Sequence, residues 1–157
     1  MNPLPRPEPK VGLIHSKELK NNKIISTHMT NTKIIIDTNS WMAVGKFHVP
    51  IFQEIDRLFG SNRDILTLSG TIDELEKIKS TSKGKDKLAA NLAIQIIHKK
   101  ANSKELTLTE TEGYVDNLLI AASKEGKMVL TADRELQKKL TKPYLVIKQK
   151  RYLELME

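Results

Sequence analysis

The stretch Lys33-Ile34-Ile35-Ile36-Asp37 decides the fold of this 157-residue chain. Consecutive β-branched residues favour a strand, and their side chains alternate between the two faces of a sheet. Because the run is apolar on both faces, it predicts a central strand of a parallel sheet, a position that is buried on both sides. We expect the strand to comprise Ile34–Ile36, with the carboxylate of Asp37 at its carboxyl end.

Outward from this strand, the chain alternates between predicted helices and strands. Residues 50–60 show apolar residues at helical spacing between Pro50 and Gly60, and Asp64–Leu68 has the composition of a strand. The remaining expected elements are a helix from Ser69 to about Ser80, a helix over about 85–100 with Leu88, Leu92 and Ile96 as its apolar stripe, a strand Glu105–Thr109, a helix Tyr114–Glu125, a strand Met128–Thr131, a helix Asp133–Leu140 and a last strand Tyr144–Lys148. This alternation predicts an α/β fold, a three-layer α/β/α sandwich with a mainly parallel central sheet.

The N-terminal segment differs in composition from the rest of the chain. Prolines alternate there at Pro3, Pro5, Pro7 and Pro9, a pattern that disfavours both helix and central strand. Residues 10–32 are mostly polar, and Met29 stands just before the first strand. We therefore expect residues 1–31 to be a flexible N-terminal appendage and residues 32–157 to be the folded domain.

The composition indicates a basic globular protein. Lys and Arg number 26 against 19 Asp and Glu, which gives a net charge of +7 at pH 7. The chain has no Cys, no signal-peptide pattern and no apolar run near the ~20 residues that span a bilayer, which favours the cytoplasm without a membrane partner. The positive charge suits a nucleic-acid partner, although most such surpluses are only a solvated surface.

Four acidic residues stand where a predicted strand ends or a predicted helix begins: Asp37, Glu74, Asp116 and Asp133. The carboxyl ends of parallel strands meet at one edge of the sheet, so we expect these side chains to form one cluster. Like charges a few ångströms apart repel by roughly 1 to 4 kcal/mol per pair, so such a cluster takes up protons or divalent cations. Mg²⁺ and Mn²⁺ prefer oxygen ligands and often bridge to phosphate. An acidic pocket on a basic body therefore predicts a metal-dependent enzyme acting on nucleic acid.

Each of these acids also has a purely structural explanation. Asp37 and Asp133 stand where an N-cap residue is expected. Glu74 and Asp116 lie in the first turn of a helix, where the helix dipole attracts negative charge. These structural roles and the cluster stay open as alternatives.

The helix that begins at Ser69 offers more than one acid. Its buried stripe is expected to comprise Ile72, Leu75 and Ile78. Asp73 then faces solvent, whereas Glu74 and Glu76 flank the stripe on opposite sides. Periodicity alone leaves Glu74 and Glu76 as candidates.

At these positions the chain resembles the PIN-domain ribonucleases. Ile34-Ile-Ile-Asp-Thr-Asn39 is similar to the first strand of that family, Glu74-Leu75 to its Glu-Leu pair, and Thr131-Ala-Asp133 to the end of its fourth strand. The helix that carries Asp116 departs from the family pattern, because Asn117 stands where a second acid is frequent. The resemblance covers residues 33 to about 148. It is closest to archaeal members similar to the small-subunit rRNA-processing PIN proteins, and the VapC-type toxins share the same acidic set.

The resemblance implies a PIN-like fold and a ribonuclease in which a metal-activated water hydrolyses the RNA phosphodiester. The catalytic residues, and the ligands of Mg²⁺ or Mn²⁺, would be Asp37, Asp116, Asp133 and, directly or through water, Glu74. The supporting residues would be Thr38, Asn39, Asn117 and Thr131, with Thr38 and Asn39 orienting Asp37. Candidates for holding the RNA backbone are Lys83, Lys85 and Lys87, although a solvated turn is the simpler explanation of these lysines.

Other activities lack their motifs in this sequence. It contains no Gly-rich phosphate loop, and its four His residues have no metal-ligand spacing. A phosphatase of the haloacid-dehalogenase type would need a second Asp where Asn39 stands. Two classes stay open: a ribonuclease, in RNA processing or as the toxin of a toxin–antitoxin pair, and a non-catalytic RNA- or protein-binding module. The expected partners are RNA, an antitoxin or ribosome-assembly protein, and a second copy of the chain.

Overall fold

The computed structural model of the protein describes residues 31–157. The expectations for the proline-rich segment and for the appendage therefore lie outside the described residues, except at Asn31. From Thr32 to Glu157 the chain forms one compact unit. In this part of the chain, no helix has both the length and the apolar character that crossing a bilayer requires.

The isoleucine run forms strand β1 (Thr32–Ile36), which lies in the middle of the sheet as predicted. Ile34 and Ile36 belong to one hydrophobic cluster and Ile35 to another, so the side chains alternate between two cores. All three are at most 3% exposed. A strand without a solvent-facing side has no need of polar residues, which explains the uninterrupted apolar run.

The sheet has six strands and is parallel except at one edge. The remaining strands are β2 (Arg63–Leu68), β3 (Thr107–Thr109), β4 (Met128–Leu130), β5 (Tyr144–Lys148) and β6 (Tyr152–Met156). Their order is β3-β2-β1-β4-β5-β6, and only β6 runs antiparallel to its neighbour. The strand order reverses between β1 and β4. In open α/β sheets, ligands bind at such a switch point, outside the carboxyl ends of the strands.

Helices cover both faces of the sheet. They are α1 (Thr38–Phe47), α2 (Ile51–Phe59), α3 (Ser69–Thr81), α4 (Gly84–Asn102), α5 (Val115–Lys124) and α6 (Arg134–Gln137). The first four contribute side chains to the cluster that contains Ile34, and the last two to the cluster that contains Ile35. The predicted three-layer α/β/α sandwich is therefore confirmed.

Two elements were not predicted, α1 and β6. The sequence of α1 contains Gly45, which normally weakens a helix, but here the helix crosses α4 so closely that a Cβ at this position would lie 2.3 Å from the carbonyl oxygen of Ala89. Strand β6 follows a hairpin turn in which Gln149 and Lys150 have φ values of 53° and 56°. Neither residue is the Gly or Asn that normally marks such a turn.

The predicted apolar stripe of α4 was wrong at Leu88, which is 69% exposed. Leu92 and Ile96 are partly buried, and the buried positions of the helix are Ala89, Ala90, Ala93, Ile94 and Ile97. Small side chains face inward because the neighbouring helix approaches closely. Helix α6 is also shorter than the predicted Asp133–Leu140, although Leu140 is still buried. The third strand begins two residues later than expected, at Thr107.

Candidate active site

Asp37 lies at the carboxyl end of β1, at the switch point, and is only 4% exposed. Its backbone N–H donates to the carbonyl of Leu130 on β4 at 2.9 Å, which continues the pairing of the two strands. Its Oδ1 accepts from the backbone N–H of Thr38 at 2.7 Å, so Asp37 is also the N-cap of α1. Asp37 can therefore cap α1 and also belong to the candidate site.

Thr131 connects Asp37 to the end of β4. Its buried hydroxyl donates to Asp37 Oδ2 at 2.8 Å and accepts from the backbone N–H of Asp133 at 3.1 Å. The carbonyl of Thr131 accepts from Nε2 of Gln137 at 2.9 Å. The fully buried side chain of Thr131 therefore holds the carboxylate of Asp37, which follows β1, and the backbone of Asp133, which follows β4.

Glu74 approaches the site from α3. Its Oε1 accepts a hydrogen bond from the hydroxyl of Thr38. This contact distinguishes Glu74 from Glu76, which periodicity could not do. Asp73 is exposed as expected, and so are Glu74 and Glu76. The expectation that the Thr38 hydroxyl orients Asp37 was wrong. The backbone N–H of Thr38 contacts Asp37, and the hydroxyl holds Glu74 instead.

The electrostatics of Asp37 show which acids are its neighbours. Burial raises the pKa of Asp37 from 3.8 to about 6, hydrogen bonds from Thr131 and from the Thr38 backbone oppose this shift, and the negative charges of Asp116 and Glu74 add to it. Asp116 lies in the first turn of α5 with an exposed side chain. Three of the four predicted acids therefore interact at this edge of the sheet.

Asp133 has the capping role that the sequence left open. Its Oδ1 accepts from the backbone N–H groups of Glu135 at 2.9 Å and Leu136 at 3.2 Å, at the start of α6. Its connection to Asp37 passes through the hydroxyl of Thr131. The second carboxylate oxygen, Oδ2, makes no hydrogen bond with the residues between 31 and 157.

The donor set suits a hard divalent cation. All the acids at this edge offer carboxylate oxygens, and the threonine hydroxyls add neutral oxygens, the ligands that Mg²⁺ and Mn²⁺ prefer. Among the described residues, no three His, Asp or Glu side chains lie close enough together to bind one ion as they stand. The structure thus shows oxygen donors gathered around Asp37 but not a closed coordination shell.

The other residues predicted by resemblance lie on the surface. Asn39 and Asn117 are both exposed. Neither makes a side-chain hydrogen bond within the part of the chain that the structure describes, so their supporting roles stay predictions.

The three candidate RNA-binding lysines lie at the start of α4: Lys83, Lys85 and Lys87. All three are exposed. Between them, Asp86 forms an ion pair with Lys46 at 2.8 Å, near the last residue of α1, whereas Asp37 caps the first turn of that helix. The structure therefore does not group these lysines with the acids.

The sequence did not identify three residues that support the site, Gln137, Ser69 and Thr111. Gln137 holds the backbone of Thr131, and Ser69 joins the start of α3 to the loop before α5 through two hydrogen bonds with Thr111, of 3.0 and 3.3 Å. Gln137 stands four residues after the cap Asp133, so its proximity to the end of β4 follows from the helix that the sequence predicted. No comparable signal identified Thr111.

A cavity of about 370 Å³ lies elsewhere in the domain, bounded by Val44, Pro50, Ile96 and Lys99 among others. None of the predicted site residues lines it. Its walls are mainly apolar, and two lysines, Lys99 and Lys100, are among the lining residues.

The fold and the site define an α/β protein with a buried acid, Asp37, at the switch point of its sheet and two further acids that act on it electrostatically. Residues 34–151 match the family described as "PIN like domain", and the chain belongs to this family. The resemblance predicted from the motifs is thereby confirmed.

Individual relatives are consistent with this assignment. The chain is 35% identical to Ribonuclease VapC4 of Methanocaldococcus jannaschii over 131 residues, which is 78% of this chain and 95% of that protein. It is 34% identical to Ribonuclease VapC9 of Archaeoglobus fulgidus over 105 residues, 67% of this chain and 73% of that protein. The solved structure of the PIN domain endonuclease Utp24 has a similar fold, with a TM-score of 0.60 at 16% identity over 78% of this chain and 90% of that one.

Proposed function

We propose that this protein is a metal-dependent ribonuclease whose site is the carboxylate cluster around Asp37. The observation that carries the proposal is the environment of Asp37: a buried carboxylate with two like-charged neighbours and a pKa raised to about 6. Repulsion among these acids destabilises the folded protein, so we expect a functional reason for keeping them together. Acids with shifted pKa values cluster at functional sites. Two relatives named as ribonucleases support RNA as the substrate.

The residues that would hold one or two Mg²⁺ or Mn²⁺ ions are Asp37, Asp116 and Asp133, with Glu74 directly or through water. Such a cation, when bound, lowers the pKa of a coordinated water and neutralises charge on the phosphate. Oδ2 of Asp133 has no hydrogen bond to the described part of the chain, so this residue could cap α6 and also bind a cation. Loading the site would require the acids to move closer together than they stand in the present arrangement.

The neighbouring side chains have positioning roles in this proposal. Thr131 holds Asp37 and favours its ionised form, and Thr38 holds Glu74. Because Asp37 and Glu74 are already hydrogen-bonded, these two side chains would lose less freedom on binding a cation than unrestrained side chains would. No side chain acts as the nucleophile, consistent with a chain that lacks Cys.

The alternative is a non-catalytic RNA- or protein-binding module with the same fold. Asn117, in place of an acid, and the use of Asp133 as a helix cap favour this alternative. The hydrogen-bonded placement of both Asp37 and Glu74 favours the enzyme, since a binding module gains nothing from their repulsion.

The biological role we propose is that of a toxin ribonuclease restrained by an antitoxin, acting on RNA in the cytoplasm. The names of the two ribonuclease relatives contain VapC, the toxin type that the motifs also resemble. A role in RNA processing with a ribosome-assembly partner, and a homodimer, are further proposals. A short antitoxin-like reading frame overlapping the start of the gene would favour the toxin role.

The experiment that tests the activity is cleavage of a labelled single-stranded RNA by the metal-stripped protein, with and without added Mn²⁺ or Mg²⁺. We expect cleavage only with added cation. Asp37→Asn should abolish cleavage because it removes a buried ligand charge, whereas Asp73→Asn, an exposed acid on α3, should leave it unchanged. RNA that stays intact with every cation, while still binding to the protein, would favour the binding module instead.

A further inference from the structure

Tyr114 exposes more of its surface than any other large apolar side chain among the described residues, at 74%. Its side chain makes no hydrogen bond, ion pair or ring contact with residues 31–157. A single exposed apolar residue is common on protein surfaces, so exposure alone identifies nothing. The exposure of Tyr114 is relevant to function because Tyr114 stands two residues before Asp116, a predicted site residue.

The backbone of Tyr114 is held firmly although its ring is not. Tyr114 is the N-cap residue of α5, and its carbonyl accepts from the N–H of Leu118 at 3.1 Å. The next residue, Val115, is buried against α3 so closely that a Cβ on Gly70 would lie 2.7 Å from its Cγ2. The ring is therefore exposed to solvent on a backbone that is held in place.

The loop before Tyr114 is attached to the same helix that carries Glu74. Ser69, the first residue of α3, accepts from the N–H of Thr111 at 3.0 Å and donates to its carbonyl at 3.3 Å. Tyr114 is therefore positioned by α3, which carries Glu74, and by α5, which carries Asp116. Both acids act electrostatically on Asp37, so Tyr114 is held between two elements that carry acids of the proposed catalytic site.

Three acids lie close to Tyr114 in the sequence. Glu110, Glu112 and Asp116 are all exposed and lie within four residues of Tyr114. These acids repel a phosphate group but not the uncharged face of a nucleobase. Aromatic side chains bind single-stranded nucleic acid by stacking against bases, largely without regard to sequence.

We propose that Tyr114 stacks against a nucleobase of the single-stranded RNA substrate, next to the phosphate that is cleaved. The proposal rests on the ribonuclease function proposed above. It assigns to Tyr114 a substrate-binding role that uses the face of the ring and does not need its hydroxyl.

The test is steady-state cleavage of an RNA with one cleavage site by wild type, Tyr114→Ala and Tyr114→Phe. Base stacking predicts that Tyr114→Ala raises KM by about 10-fold or more, with kcat changed much less, and that Tyr114→Phe behaves like wild type. Leu88→Ala, which removes a comparably exposed side chain on α4, should leave KM unchanged. All variants should melt like wild type, because the removed side chains are mostly exposed.

A second substrate, identical but abasic on both sides of the cleavage site, isolates the stacking. There, wild type and Tyr114→Ala should have the same KM. An unchanged KM for Tyr114→Ala on the intact RNA, or an equal loss on both RNAs, would overturn the proposal. So would an unchanged RNA affinity combined with weaker binding of a hexa-arginine peptide, which would make Tyr114 a contact for a protein cation.

Failure of the ribonuclease function can be told apart from failure of the stacking. If wild type cleaves no RNA, the proposed function fails, and binding of the same RNAs measured by fluorescence anisotropy decides the role of Tyr114. Stacking is supported if Tyr114→Ala binds the intact RNA more weakly than wild type does and if this difference disappears with the abasic RNA. Equal binding by wild type and variant rejects it.

Discussion

The hydroxyl of Thr131 donates a 2.8 Å hydrogen bond to Asp37 Oδ2 across 94 residues of sequence. The two residues directly follow β1 and β4, the strands between which the sheet reverses its order. Burial disfavours the charged form of Asp37, and this hydrogen bond favours it. The bond therefore keeps a buried carboxylate available as an anion near neutral pH.

Removing the Thr131 hydroxyl should weaken the site without removing an acid. In Thr131→Val the pKa of Asp37 should rise further, because an interaction that favours its ionised form is lost, and the acidic limb of the cleavage pH profile should move to higher pH. The free energy of unfolding at neutral pH should fall by about 1 to 3 kcal/mol. Thr131→Ser, which keeps a hydroxyl, is the control, and equal pH profiles for the Val and Ser variants would contradict the role of the bond.

The raised pKa of Asp37 predicts a pH-dependent stability. Because the pKa is about 6 in the folded protein and near 3.8 when unfolded, the folded state binds more protons between these values. The contribution of Asp37 to the free energy of unfolding should therefore decrease as pH rises from about 4 to about 6, by about 3 kcal/mol in total. Urea unfolding in a chelator should show that Asp37→Asn gains stability relative to wild type over this window. A difference that does not vary with pH would rule out the shift.

The two glutamates of α3 should differ in their effect on metal binding. Glu74→Gln keeps an oxygen for the Thr38 hydroxyl but removes a charge beside Asp37, so Mn²⁺ affinity should fall by about 10-fold or more. Glu76→Gln alters an exposed acid on the same helix and should have no effect. Titration calorimetry with Mn²⁺ makes the comparison, and an equal loss in both variants would remove Glu74 from the site.

The N-terminal segment should be dispensable for folding. Residues 32–157 form a compact unit with two hydrophobic clusters of their own, so deletion of residues 1–28 should change the melting temperature little. Circular dichroism of the full chain and of the deletion variant measures this. A large drop on deletion would show that the segment belongs to the folded core.

The central architecture was predictable because one strand carries an unambiguous pattern. A run of β-branched apolar residues such as Ile34–Ile36 favours the middle of a parallel sheet that is covered on both faces. Helix α1 was not predictable in this way, since Gly45 is accommodated by a close helix crossing that only the tertiary structure reveals. The wrong stripe in α4 has the same origin, because close packing selects alanines over leucines.

The positions of the acids were predictable, but their contacts were not. Asp37 could be placed at the end of β1 from sequence alone, whereas the choice between Glu74 and Glu76 needed the contact with Thr38. The Thr131 hydroxyl holds Asp37 and the Thr38 hydroxyl holds Glu74, and this difference depends on side-chain direction at the strand ends. Such directions follow from three-dimensional packing rather than from residue type.

The most direct test of the metal site is the effect of Mn²⁺ on thermal unfolding of wild type, Asp37→Asn and Asp73→Asn. A cation that binds only the folded state stabilises it by RT ln(1 + [L]/Kd), about 2.7 kcal/mol at 100-fold excess over Kd. Wild type and Asp73→Asn should therefore melt about 5 to 10 °C higher with saturating Mn²⁺, and Asp37→Asn should gain almost nothing. Equal stabilisation of Asp37→Asn and wild type would contradict a metal site built around Asp37.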